Sequence, residues 1–449
     1  MTASLRPPAG HDAGHASASP GDRPPPARQS EPGGIGYYLK RLGPGLVTGA
    51  ANDDPGAIGT HAQVGAQFGA ASFWLAPYTL PLTAVVLEMC GRIGTVAGRG
   101  LVTLLRFHYP RWVLWGAVSL FAVANVINLA ADLGVMADAV RMLAGGPPRL
   151  WLLLLAVGSG ALQMFVPYGP YARVLKVLAL SLFAYVVAVF LVPQQWGDVL
   201  RATFVPTFHW DAAFVTGLVA VLGTRLSPYV LVWEPAQVVE EEVGEGKTRL
   251  QDRVGASPRE IRALEVDTIA GSTVANLVTW AILVTAAATL HARGVTTVET
   301  AAQAAEALKP AAGKLAYALF ALGILSVGLL AVPVLAGGVA YAVGEARGWP
   351  RGLRRGVTRE PKFYAVLACC IVAAVLLNLV GVSPIRALFI SQVVNGLVAV
   401  PLVFLVLRIS GNAEIMGDAR NGWLATALGW GTLLVIAAVG AAGVWSLTR

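Results

Sequence analysis

A chain of 449 residues that is 56% hydrophobic and only 13% charged exposes too much apolar surface for a set of soluble domains, and its repeated apolar runs of about 20 residues match the thickness of a bilayer. The formal charge of +8 does not signal nucleic acid, because the Lys and Arg residues sit mostly in short loops between apolar runs, where they set membrane topology. Cys90, Cys369 and Cys370 all fall in apolar spans without Cys-x-x-Cys or metal-finger spacing; they imply no disulfide framework and read as packing residues.

Residues 1–36 are rich in Pro, Gly, Ser, Ala and Arg and lack apolar periodicity, which predicts a disordered cytoplasmic tail. No apolar segment of the signal-peptide kind follows its Arg residues, and His11 and His15 are assigned no role. Residues 37–449 form a single transmembrane domain of eleven predicted spans bounded by Gly, Pro or charge.

The first span, about 44 to 68, is interrupted by the polar stretch Asn52-Asp53-Asp54-Pro55-Gly56. Carboxylates cost about 2.5 kcal/mol or more in hydrocarbon, and unwound backbone persists there only when buried in protein or lining a wet cavity. A broken helix that carries acids is therefore a candidate ion site. Spans two to five are predicted at about 71–94, 113–142, 149–166 and 172–193. The sixth begins near Ala213 and is interrupted at Ser227-Pro228-Tyr229, with Arg225 and Glu234 on either side. Spans seven to eleven follow at about 264–290, 315–343, 363–381, 384–408 and 423–446.

Loops on one side hold Arg92, Arg99, Arg106 and Arg111, then Lys247 to Arg262, then Arg347 to Lys362. The opposite loops are much poorer in such residues, which places the N-terminus in the cytoplasm. An odd number of spans then places Arg449 outside. The two interrupted spans are five apart, the spacing of two five-helix inverted repeats, about 40–193 and 213–408, with an additional helix at about 423–446. Unwound backbone at such breaks offers carbonyls to cations and N–H groups to anions, so the architecture leaves the sign of the cargo open.

The stretch from Gly43-Pro44-Gly45 to Gly69, with Asp54-Pro55-Gly56-Ala57, Thr60, Gln63 and Gly65-Ala66, resembles the first helix of the Nramp (natural resistance-associated macrophage protein) metal-ion transporters. Further echoes are Ala131-Asp132-Leu133, Asn276 and Ser391-Gln392-Val393-Val394. The resemblance implies an all-α, LeuT-like 5+5 inverted repeat that works as a secondary-active transporter by alternating access. It implies substrate contacts at Asp54, Ala57, Thr224, Arg225, Ser227 and Tyr229, with Asp53, Asp132, Glu234, Asn276 and Gln392 as gate or proton-path residues.

The family pattern in the first helix is Asp-Pro-Gly-Asn and in the sixth Met-Pro-His; here these are Asp54-Pro55-Gly56-Ala57 and Ser227-Pro228-Tyr229. Ala57 has no ligand atom, and Ser227 is a hard donor suited to Mg²⁺ more than to Mn²⁺ or Fe²⁺. Asp54 and Ser227 are the expected metal ligands. Tyr229 does not titrate near neutrality as His does, the acid expected three residues after Asp132 is Val135, and Glu234 stands where a second His would be.

Two readings of Arg225 stay open: an ion pair with Asp132, or a ligand for a small anion such as bicarbonate. The implied partners are the inorganic ion, protons and the lipid bilayer, with no nucleic acid, no cofactor and no required oligomer. The implied location is a bacterial inner membrane. His61 reads as a hydrogen-bonded packing residue; Glu88, Asp138 and Asp267 either line a proton path or pair with nearby cations. Absence of HExxH, GxSxG and CxxC signatures argues against an enzyme, and a non-transporting sensor remains the alternative class.

Overall fold

The computed structural model describes residues 54–165, 177, 180–244, 246–349, 358–379 and 381–447. The N-terminal tail, Asp53 and the upstream half of the first span lie outside the described residues. Among the described residues all regular structure is helical.

The principal helices are α1 Pro55–Phe68, α2 Leu75–Ala97, α3 Arg111–Ala144, α4 Pro148–Phe165, α5 Ala184–Leu191 and α6 Ala212–Arg225. They continue with α7 Pro228–Gly244, α8 Pro258–Thr289, α9 Ala316–Arg347, α10 Pro361–Asn378, α11 Pro384–Ser410 and α12 Trp423–Leu447. Nine membrane-length spans occur among the described residues, with α6 and α7 sharing one of them. Helices α1 and α5 are the described parts of the first and fifth spans.

The packing is reciprocal. Helix α1 lies against α8, while α7 lies against α2; α2 also contacts α8, and α3 contacts α9. This is the pairing that two inverted repeats produce. Helices α3, α6 and α1 all pack on α11, which gathers the two interrupted spans around one centre. Helices α4, α10 and α12 lie at the edge and present Leu154, Val157, Val372, Leu376 and Leu434 outward, as lipid-facing surfaces do.

Local chemistry explains the ends. Helix α8 begins six residues before its expected start because Ser257 and Glu260 form a capping box: the Ser257 hydroxyl accepts the Glu260 N–H, and the Glu260 carboxylate accepts the Ser257 N–H at 2.9 Å. Ser257→Ala is expected to cost about 1 kcal/mol, read as a lower thermal midpoint of the detergent-purified protein with transport retained.

Two of the intramembrane acids have structural partners. Glu88 pairs with Arg92 one turn away at 2.8 Å, and Arg92 also donates to Ala419 O and Asn421 Oδ1, tying α2 to the segment before α12. Asp138 accepts the Ala301 N–H at 2.8 Å and pairs with Arg141 at 3.0 Å. Cys90 and Cys370 are buried, whereas Cys369 is exposed; its expected packing role within the protein is thus not seen.

Candidate functional site

Asp54 stands at the N-cap of α1 with extended backbone, φ −69° and ψ 169°. Proline at the first helical position has no N–H to leave unpaired, and the carboxylate turns back to accept the Ala57 N–H at 2.7 Å. The side chain thus sits at the positive end of a half-helix, and only 3% of the residue is exposed.

The second carboxylate oxygen is held from α3. Asn128 Nδ2 donates to Asp54 Oδ2 at 2.8 Å, and Asn128 Oδ1 accepts from Gln392 Nε2 at 2.8 Å and from the Ser391 hydroxyl at 3.0 Å. Gln392 Oε1 in turn accepts from Asn395 Nδ2 at 3.0 Å. Asn128, Ser391, Gln392 and Asn395 are all buried, so the network ties the Asp54 carboxylate to α11 through direct side-chain hydrogen bonds. Gly56 permits the approach: a Cβ there would collide with Gln392 Nε2.

Asp132 lies one turn further along α3, fully buried, beside the Gly56 N–H and within electrostatic range of Asp54. Neither of its oxygens meets hydrogen-bond geometry among the described residues. Among the described residues no hydrogen bond joins Arg225 to Asp132. Arg225, the last residue of α6, donates from Nη2 to Thr279 Oγ1 on α8 at 2.7 Å. Its charge still reaches Asp54 and His61.

The interruption of the sixth span is visible at Leu226–Pro228, where Leu226 takes φ −115° and ψ 41°. Pro228 brings no N–H to continue the ladder. Ser227 sits at this break, but its hydroxyl turns back to Gly223 O at 2.8 Å and Thr224 O at 3.1 Å, the local bonding that Ser favours at helix ends. In this arrangement the Ser227 hydroxyl proton is engaged and its oxygen keeps its lone pairs.

Thr224 donates to Val221 O at 2.7 Å and lies 3.2 Å from His61 Nε2, bridging α6 to α1. His61 is therefore a hydrogen-bonded residue of the helix interface. Ala57 is buried and contributes its N–H, not its side chain, to Asp54. Tyr229 is buried and Glu234 half-buried on α7. Asn276 accepts from Thr79 Oγ1 at 3.3 Å across α2 and α8, and among the described residues it makes no hydrogen bond to Asp54.

The residues missed from sequence are Asn128, Thr279, Ser391 and Asn395 as polar partners of the centre. Asn125, Asn128 and Asp132 share one face of α3 by their three- and four-residue spacing, which is the signal that marks Asn128. Nothing comparable singles out Thr279, one hydroxyl among several on α8.

A family profile described as natural resistance-associated macrophage protein-like matches residues 45–446. The divalent metal cation transporter MntH of Deinococcus radiodurans is 28% identical over 95% of this chain and 98% of the relative. MntH of Klebsiella pneumoniae is 27% identical over 89% and 92%. Among solved structures, the manganese transporter of Eremococcus coleocola aligns with a TM-score of 0.68 at 17% identity, covering 92% of this chain and 88% of that one. Inward-facing Mhp1 aligns at 0.54 and 13% identity, covering 90% and 91%. With the Asp54 helix end, the interrupted sixth span and the reciprocal helix packing in place, the match over nearly the whole length shows that the chain belongs to the Nramp family.

Proposed function

We propose that this chain is a secondary-active, proton-coupled transporter that carries a small hard divalent cation such as Mg²⁺ past Asp54 by alternating access in a bacterial inner membrane, with its N-terminus in the cytoplasm. The observation that carries the reading is the Asp54 carboxylate, buried at a half-helix end and joined to amide groups on α3 and α11. Among the described residues its hydrogen-bond partners offer amide and hydroxyl oxygens and no thioether, a set that suits a hard cation. The relatives named divalent metal cation transporters support the cargo class.

Asp132, buried and without a hydrogen bond among the described residues, supports a role as the proton carrier. The loop asymmetry of Lys and Arg supports the orientation.

Arg225 favours a second reading. It is buried, permanently charged and close enough to the centre for its charge to reach Asp54, and so is a candidate ligand for bicarbonate. Uptake into liposomes of Mg²⁺, Mn²⁺ and bicarbonate, compared between wild type and Arg225→Thr, separates the two. Cation transport is expected to survive the substitution, with a half-saturating concentration lower by about tenfold as a repelling charge leaves. A bicarbonate-dependent change of internal pH that Arg225→Thr abolishes, without cation flux in wild type, supports the anion reading and overturns the cation one.

A further inference from the structure

We infer that Asn128 is a cargo ligand, and that the amides of Asn128, Gln392 and Asn395 form a reversible relay that turns as the cation loads. The inference rests on reading the cargo as a divalent cation and goes beyond it by naming a ligand on α3 and the device that presents it.

In the present arrangement Asn128 turns its NH₂ to Asp54 Oδ2 at 2.8 Å. Rotating the carboxamide by half a turn places its oxygen at about the same distance from Asp54 Oδ2. Octahedral Mg²⁺ holds its oxygens at about 2.0–2.1 Å, so neighbouring ligands lie about 2.9–3.0 Å apart. The Asp54–Asn128 spacing therefore fits one edge of such a coordination shell with little movement of either helix. The amide missing at Ala57 on α1 is supplied from α3 instead.

The hydrogen bonds that join the three amides permit the rotation. Asn128 Nδ2 then donates to a turned Gln392 through Oε1, and Gln392 Nε2 donates to a turned Asn395 through Oδ1. Ser391 keeps its bond to Leu388 O, 2.7 Å away, and accepts from Asn128 in place of donating to it. Each link among the three amides is kept with its direction reversed. Without a cation between them the turned state sets two oxygens against each other at Asp54, so cation binding favours the turned orientation.

Asn395 lies two links from Asp54, and a carboxylate in its place can only accept hydrogen bonds. Asn395→Asp therefore holds Gln392, and through it Asn128, in the loading orientation. Binding of Mn²⁺ and Mg²⁺ to the full-length purified protein by calorimetry tests this. Asn128→Leu is expected to raise Kd by about 10- to 100-fold, and Asn395→Asp to lower it by about fivefold. Unchanged or weaker binding in Asn395→Asp overturns the relay, as does binding within about twofold of wild type in Asn128→Leu. Should Asn128→Leu fail to fold, the tightening in Asn395→Asp decides alone. A wild type that binds neither cation overturns the cargo reading itself and the inference with it, whereas binding that Asn395→Asp weakens overturns the relay only.

Discussion

Asp54→Asn is expected to abolish divalent-cation flux while leaving the protein folded. Asp54 Oδ1 caps α1 by accepting the Ala57 N–H, and in the proposed function its charge is also the counter-ion for the cargo. Asparagine caps a helix about as well as aspartate, so the first role survives. The Asn128 amide can turn to meet the new side chain, as its α11 partners allow. The second role is lost outright. Outer-shell changes alone reduce metal affinity by about 10- to 100-fold, so removing a charged direct ligand is expected to cost about 100-fold or more. Asp54→Ala removes both roles and adds about 1 kcal/mol of helix destabilisation. The checks are flux in liposomes and the thermal midpoint in detergent. A loss of flux in Asp54→Asn that follows equal loss of folded protein contradicts the assignment.

Gly223→Val is expected to produce the largest structural damage of a single methyl-bearing change in the bundle centre. A Cβ on Gly223 would collide with the Gln392 carbonyl oxygen and come within 2.6 Å of the Gly396 N atom. These are backbone atoms of α11, which cannot swing aside as a side chain does. Gly396 is equally tight, with its own Cβ position 2.6 Å from Val219 O. Small residues at such crossings let helices approach closely where packing must hold them together. Overpacking is expected to cost about 3 kcal/mol or more. It also displaces Gln392 from Asn128, so flux should fall with stability. Gly116, which has nothing within 4 Å of its Cβ position, is the control; Gly116→Ala should leave both unchanged or raise stability by up to about 1 kcal/mol. Measurement of thermal midpoint and flux for the pair checks the contrast.

The architecture was largely legible because its signals are local. Proline without an N–H stops α6 at Pro228 and opens α1 at Pro55, and those positions are plain in the chain. The start of α8 was equally readable in Ser257-Pro258-Arg259-Glu260, yet apolar periodicity alone sets it near Leu264, since the cap precedes the apolar face. The site was legible in its acids and less so in its partners. Buried carboxylates stand out in an apolar span, but the Arg225–Thr279 bond joins residues 54 apart in the chain, and nothing local marks Thr279. Ser227 shows the opposite case: its back-bonding to Gly223 and Thr224 is local, and follows from its place at a helix end. Asn128 was marked by spacing on α3, but its link to Asp54 depends on two helices 74 residues apart in sequence.

Net flux through the wild-type protein tests the central claim most directly. Purified protein in sealed liposomes, loaded with separate indicators for divalent cation and for internal pH, should show Mg²⁺ or Mn²⁺ entry that saturates, accompanied by acidification of the interior, and no bicarbonate-driven change of pH. Bicarbonate-driven alkalinisation without divalent-cation entry, or cation binding with no flux at all, would contradict it.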